Sequence, residues 1–186
     1  MDVLEAIQNR RSIKKFTDRA VERADIERLL SAAVLAPNHK MTQPWEFIVL
    51  GPAARRAYGY ALGARKAQKV EDPEAARLVR EKIADEHAAL PAMIAATVPI
   101  EENPETREED YAATMMAIQN LSLVALAIGL GTHIKTGAVM DDPAARAAAG
   151  VAEGRRIIAI INIGEPAEIP AGKERAPASS RTRWLD

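Results

Sequence analysis

The stretch from Ala112 to Leu130 is almost wholly apolar and carries no charged side chain. It is long enough to span a bilayer. Gln119 and Asn120 sit at its middle, however, and its upstream flank is acidic, so a buried central helix is the better reading. A helix apolar on nearly every face has to be covered by other layers, and that demand shapes the rest of the chain. With 186 residues, 48% of them apolar, the cover can come from one domain, residues 1–186, or from one that completes itself by dimerising. Only 4% of residues are aromatic and Ala dominates, so much of the core must be helix packed on helix or on sheet.

Whole classes of chemistry drop out. There is no Cys, which excludes disulfides, thiol nucleophiles, thiolate zinc sites and iron–sulfur clusters. A net charge of −1 offers no whole-protein attraction to nucleic acid. His39, His87 and His133 are scattered without metal-ligand spacing, so no metal is expected. The opening residues lack the apolar core of a signal peptide, and a cytoplasmic protein that leaves membranes alone is expected. Neither a dinucleotide-binding glycine fingerprint after a strand nor a P-loop signature occurs.

Asp2 can cap a short helix over 2–10, with Val3, Leu4 and Ile7 on one face. Residues 22–35 form a clearer helix, because Ile26, Leu29, Leu30, Ala33 and Val34 share a face; Pro37 ends it. Asn38 to Pro44 is a loop, and Trp45 to Leu50 a strand apolar enough to be covered on both faces. Helices over about 53–68 and 74–88 follow, with a charged segment between them. Met93 to Val98 reads as a second strand and Glu101 to Asp110 as an acidic loop. The apolar helix 111–128 ends where Gly129 and Gly131 permit left-handed backbone. Asp142 can cap a helix at 143–149, and Ile157 to Ile163 is a third strand of strong β propensity. The tail 165–186 holds Pro166, Pro170 and Pro177, and reads as an extended arm that needs another surface to lie on. Strands separated by helices in this way predict an α/β or α+β layered domain.

Four clusters can carry chemistry. Arg10, Arg11, Ser12, Lys14 and Lys15 lie just past a helix end. They complement the helix dipole, or they form a phosphate site, since Arg offers a planar fork and Ser a short donor. Pro37, Asn38, His39 and the residues up to Trp45 form a proline-stiffened loop, either an ordinary connection or a ligand contact. Gly129 to Gly137 lets backbone approach a flat ligand, or merely ends a helix. Lys173, Glu174 and Arg175 read by themselves as exposed charge.

Taken together, these segments resemble one family. Arg10 to Phe16 resembles the arginine- and serine-containing opening of FMN-dependent nitroreductases. Ala36 to Phe47, with Gln43-Pro44-Trp45, resembles their second motif, and Gly129 to Gly137 their third. Ile157 to Glu168 resembles the last core strand and the turn after it, here Gly164-Glu165-Pro166. The matches come in family order and cover nearly the whole chain, and the short length is similar to the compact minimal subgroup.

The resemblance implies an α+β three-layer sandwich, with a mainly antiparallel central sheet flanked by helices and completed by tail exchange in a homodimer. It implies FMN as cofactor, NADH or NADPH as electron donor, and a small nitroaromatic- or quinone-like acceptor. The flavin carries the chemistry, so no catalytic side chain is required. Arg10, Arg11 and Ser12 match the residues that hold the FMN phosphate. Lys14 matches a cation near the ribityl chain or pyrimidine edge. Pro37, Asn38 and His39 match a loop that reaches the flavin from the other subunit. Ile134, Lys135, Thr136 and Gly137 match the segment on the flavin's reactive face, and Lys173 and Arg175 a late phosphate contact. Met41 and Leu35 depart from residues common in relatives, and these departures bear on the substrate. A flavin carrier or sensor with little turnover, or a specialised flavin dehydrogenase on the same fold, is the alternative expectation.

Overall fold

The computed structural model describes residues 1–185; Asp186, the last residue of the expected arm, lies outside the described residues. Four strands form one sheet among the described residues: β1 (Glu46–Val49), β2 (Ala92–Pro99), β3 (Gly131–Lys135) and β4 (Arg155–Gly164). Their order is β1-β2-β4-β3, and each neighbouring pair is antiparallel. The helices are α1 (Val3–Asn9), α2 (Arg23–Ala33), α3 (Pro52–Ala67), α4 (Pro73–Ala88), α5 (Pro104–Ala127) and α6 (Pro143–Ala148).

The central strands are apolar on both faces because both are covered. On one face Ile94, Ala96, Ala159, Ile161 and Ile163 pack against Ile26 and Leu29 of α2 and Ile118 and Leu121 of α5. On the other, Met93, Ala95, Ile157 and Ile160 meet Tyr58 and Ala61 of α3 and Ala145 and Ala149 around α6. The result is the expected α+β arrangement of three layers. The small Ala side chains let helix and strand backbones come close, as so few aromatics require.

Four expectations need correcting. The strand read as covered on both faces, β1, is a sheet edge, with Glu46 and Val49 exposed. The segment read as an acidic loop, Glu101 to Asp110, turns helical at Pro104. Asn103 accepts from the backbone N–H groups of Glu105 and Thr106, and Pro104 sits at the first helical position, so α5 starts there. The sheet has a fourth strand, β3, in the segment whose sequence shows only flanking glycines. Thr132, His133 and Lys135 break its apolar pattern because it is the sheet edge. Gly129 takes the expected left-handed backbone (φ 82°), but Gly131 does not; a Cβ there would collide with the Ile13 side chain. Gly131 thus lets residues 12–13 lie along β3, where the Ile13 N–H donates to the Thr132 carbonyl at 2.9 Å.

Nor is α5 covered all round in the single chain. Tyr111, Met116 and Gln119 are exposed along one side. On α1, closed by a reciprocal capping box between Asp2 and Glu5, the shared apolar face of Val3, Leu4 and Ile7 is open to solvent. Trp184 is 89% exposed. No helix of the described residues is long and apolar enough to cross a membrane.

Candidate functional site

Three segments converge on a cleft of about 700 Å³: the end of α1 with residues 10–15, the edge strand β3, and the tail from Glu168 to Arg175. Hydrogen bonds set that convergence. Ile13 is tied to Thr132, Thr17 N–H donates to the Glu165 carbonyl at 2.9 Å, and Ala167 N–H donates to the Lys15 carbonyl at 3.0 Å. The start of the tail therefore runs beside residues 15–17, which delivers Lys173 and Arg175 to the same hollow as Arg10, Arg11, Ser12 and Lys14.

The lining is strongly cationic: Arg10, Arg11, Lys14, Lys15, Lys173 and Arg175 face a single carboxylate, Glu168. Lys15 Nζ is paired with that carboxylate at 2.6 Å, and hydrogen bond and charge together lower the Glu168 pKa and raise that of Lys15. Arg11 takes the helix-end role that the sequence left open. Its Nη1 donates to the Gln8 carbonyl at 2.7 Å and the Arg10 carbonyl at 3.0 Å, closing the helix end. The rest of its guanidinium lies against Gly172, where a Cβ would sit 2.7 Å from Nη2. The side chains of Arg10 and Lys14 have no hydrogen-bond or ion-pair partner among the described residues and are free to meet an anion. His133, unassigned from the sequence, also lines the cleft; burial and then the charges of Lys135 and Lys14 push its pKa down. Nothing in its spacing to other residues marked it; only the β3 edge brings it there.

Ile134 joins the lining, whereas Lys135 turns away from it. Its Nζ lies 3.4 Å from Nε2 of His87 on α4, whose Nδ1 sits 2.7 Å from the Ile83 carbonyl. That second contact makes Nδ1 the protonated nitrogen and leaves the Nε2 lone pair to accept from Lys135. Thr136 and Gly137 follow the strand and lie outside the cleft lining.

Pro37, Asn38 and His39 stand elsewhere. Their loop packs on the first turns of α5: His39 Nδ1 is 3.1 Å from Glu109 Oε1, and the Thr42 hydroxyl donates to the buried Asp110 carboxylate at 3.1 Å. Leu126, at the other end of α5, lines a 240 Å³ hollow with Arg10 and Arg11. At 1.5 Å per residue, Asp110 and Leu126 are about 24 Å apart along the helix. Within one chain the His39 loop and the cationic cleft are therefore remote from each other.

The donor set suits a phosphorylated, planar ligand. Arginine forks, Ser12 and lysine ammonium groups match phosphate oxygens, and Ile7 and Ile134 add apolar surface for a ring.

A model of the nitroreductase family matches residues 7–165. A Bacillus subtilis protein named provisionally as the NAD(P)H nitroreductase YfhC is 33% identical over 175 residues, covering 94% of this chain and 90% of its own length. The crystal structure of a nitroreductase-like family protein from Bacillus cereus superposes with a TM-score of 0.85. It is 31% identical, with 100% of this chain and 97% of that one covered. An FMN and NADPH-dependent nitroreductase, NfnB from Sphigopyxis sp. strain HMH, shares the fold with a TM-score of 0.82 at 20% identity, both chains fully covered.

Proposed function

The chain belongs to the nitroreductase family, and on that footing we propose that it is an FMN-dependent NAD(P)H oxidoreductase serving a small nitroaromatic- or quinone-like acceptor. The observation that carries the reading is the cationic cleft, built from the segments that match the family's motifs. Arg10, Arg11 and Ser12 hold the FMN phosphate, with Lys173 and Arg175 closing on it from the tail. Lys14 supplies positive field where negative charge develops, and Ile134 packs on the ring. FMN, when bound, supplies the ring that takes up hydride from the nicotinamide and hands it on. No side-chain nucleophile is needed, in keeping with a chain that has no Cys. Its place of work on this reading is the cytoplasm, where NADH and NADPH are available as electron donors.

The active form is a homodimer of one-domain chains, in which the arm 165–186 lies on its own chain as far as Arg175 and its end, carrying Trp184, reaches the partner. The uncovered faces of α1 and α5 and the exposed Trp184 support this reading. So does the remoteness of His39: two α5 helices packed antiparallel about a two-fold axis bring the loop of one chain to the cleft of the other. Pro37, Asn38 and His39 then meet the flavin from the partner.

Titration with FMN tests the proposal. The protein should bind one FMN per chain, and NADH or NADPH should bleach it rapidly in a stopped-flow instrument. Arg10→Ala should weaken FMN binding by about 1.5–3 kcal/mol, the loss of a charge-assisted hydrogen bond, while the apoprotein stays folded. A chain that takes up no FMN would overturn the reading, and slow bleaching would favour a carrier.

A further inference from the structure

The loop from Asn38 to Pro44 is held in an unusual shape. Lys40, Met41 and Gln43 all have positive φ, at 49°, 54° and 44°, a region that side-chain-bearing residues seldom adopt. Strained backbone of this kind persists only where its surroundings over-determine it. Inside the loop, the Asn38 side-chain oxygen accepts from the Gln43 N–H at 3.0 Å. On the α5 side, Glu109 and Asp110 hold His39 and Thr42. The remaining anchor comes from Arg155, the first residue of β4 and 111 residues away in the chain.

Arg155 grips the loop where it becomes β1. Its Nη2 donates to the Pro44 carbonyl at 2.7 Å and the Thr97 carbonyl at 3.1 Å. Its Nε donates to the Thr97 hydroxyl at 3.0 Å and faces Glu46 Oε2 at 2.8 Å. Thr97 is fully buried and lies where the β2–β4 register shifts, between Ala96 and Thr97. The extra residue, Ile158, lies on β4 near Arg155, and an irregularity of this kind re-aims the side chains beside it. The guanidinium thus joins β1, β2, β4 and the loop at one point, and a lysine could not reach both carbonyls.

We propose that Arg155 is a positioning residue for the flavin site of the partner subunit, acting through the loop that carries Asn38 and His39. The proposal rests on the shared-site reading above. None of the hydrogen-bond or ion-pair partners of the Arg155 side chain among the described residues lines its own chain's cleft, so its effect crosses the dimer with the loop.

The test is complementation in heterodimers, co-expressed with two affinity tags, with FMN content as readout. The FMN concentration should saturate wild type but not the single variants. Arg155→Ala should raise the FMN Kd by between about 10- and 100-fold, the scale of a small misplacement of contact groups. A heterodimer of an Arg155→Ala chain with an Arg10→Ala chain concentrates both defects in one site and leaves the other intact. It should hold about half the wild-type FMN. A heterodimer of Arg155→Ala with His39→Ala damages one loop in each chain and should hold little. In the flavin-free protein, trypsin cleavage after Lys40 should be faster in Arg155→Ala than in wild type. Arg155→Lys, which keeps the stem and charge but not the fork, serves the same tests if the alanine variant does not fold.

The control is a heterodimer of Arg10→Ala with His39→Ala. If it recovers half the FMN while Arg155→Ala with Arg10→Ala recovers none, Arg155 serves its own chain's site and the proposal falls. If the control recovers none, the shared-site reading itself fails and takes this assignment with it.

Discussion

Lys135 Nζ and His87 Nε2 face each other at 3.4 Å, with no carboxylate bonded to either. Burial is the main reason both pKa values are lowered. At His87 the Ile83 carbonyl and Glu86 work against burial, while Lys135 and Lys66 add to it; at Lys135, Lys66 adds and Glu86 opposes.

An acid-side loss of stability follows from His87. Unfolded, it titrates near 6.5; folded, it titrates lower. Between those two values the unfolded chain binds the extra proton, so stability falls as pH drops below 6.5 and is fully present above it. His87→Gln removes the titration while keeping an acceptor for Lys135. Urea midpoints of this variant at about pH 7 and about pH 5 should differ less than those of wild type. An equal difference in the two proteins would show that His87 does not contribute.

Lys135 is predicted to be costly to the fold. Lys135→Met should stabilise the flavin-free protein by about 1 kcal/mol, because a partly buried ammonium is replaced by an apolar chain of similar size. The gain should shrink as pH rises toward 10.5, since wild-type Lys135 loses its proton earlier in the fold than in the unfolded chain. FMN should bind the variant about as tightly as wild type, because the ammonium points away from the cleft lining, and calorimetry on the apo and flavin-loaded forms reads both effects.

Gly131→Ala should cost about 1–3 kcal/mol, the usual penalty of overpacking. The new Cβ would push on Ile13, so the exchange of the Ile13 amide, bonded to Thr132 in wild type, should speed up more than that of β4 amides. Uniform acceleration across the sheet would mean that the effect is global.

Leu121→Ala removes a side chain with no exposed surface at the centre of α5 and should cost about 2–5 kcal/mol by denaturant unfolding.

Trp184→Ala should act on assembly alone. The side chain is exposed in the single chain, and buried aromatic anchors commonly supply 2 kcal/mol or more at interfaces, so the dimer dissociation constant should rise by more than about tenfold. Sedimentation velocity checks this, and an unchanged constant would place the tail outside the interface.

The sequence by itself determined the elements whose burial is written as periodicity. In α2, Ile26, Leu29 and Ala33 recur at helical spacing and all are buried; in β4 the run Ile157 to Ile163 is covered on both faces. Caps at Asp2 and Asp142 were legible because each acts within three residues. Val34 shows the limit: it continues the periodic face of α2, yet it is exposed because the helix has already ended at Ala33. Only the tertiary structure decided the rest. Edge strand β3 has no alternation to read, and its identity comes from hydrogen bonds to β4. The cleft exists because Ile13 pairs with Thr132 and Ala167 with Lys15 across long sequence distances, which draws two cationic segments together. The role of Arg155 depends on Thr97 and Pro44, 58 and 111 residues away, and on a register shift in the sheet. Periodicity encodes which faces avoid water; it does not encode which distant group a half-buried guanidinium will meet, because that depends on how the packed layers align.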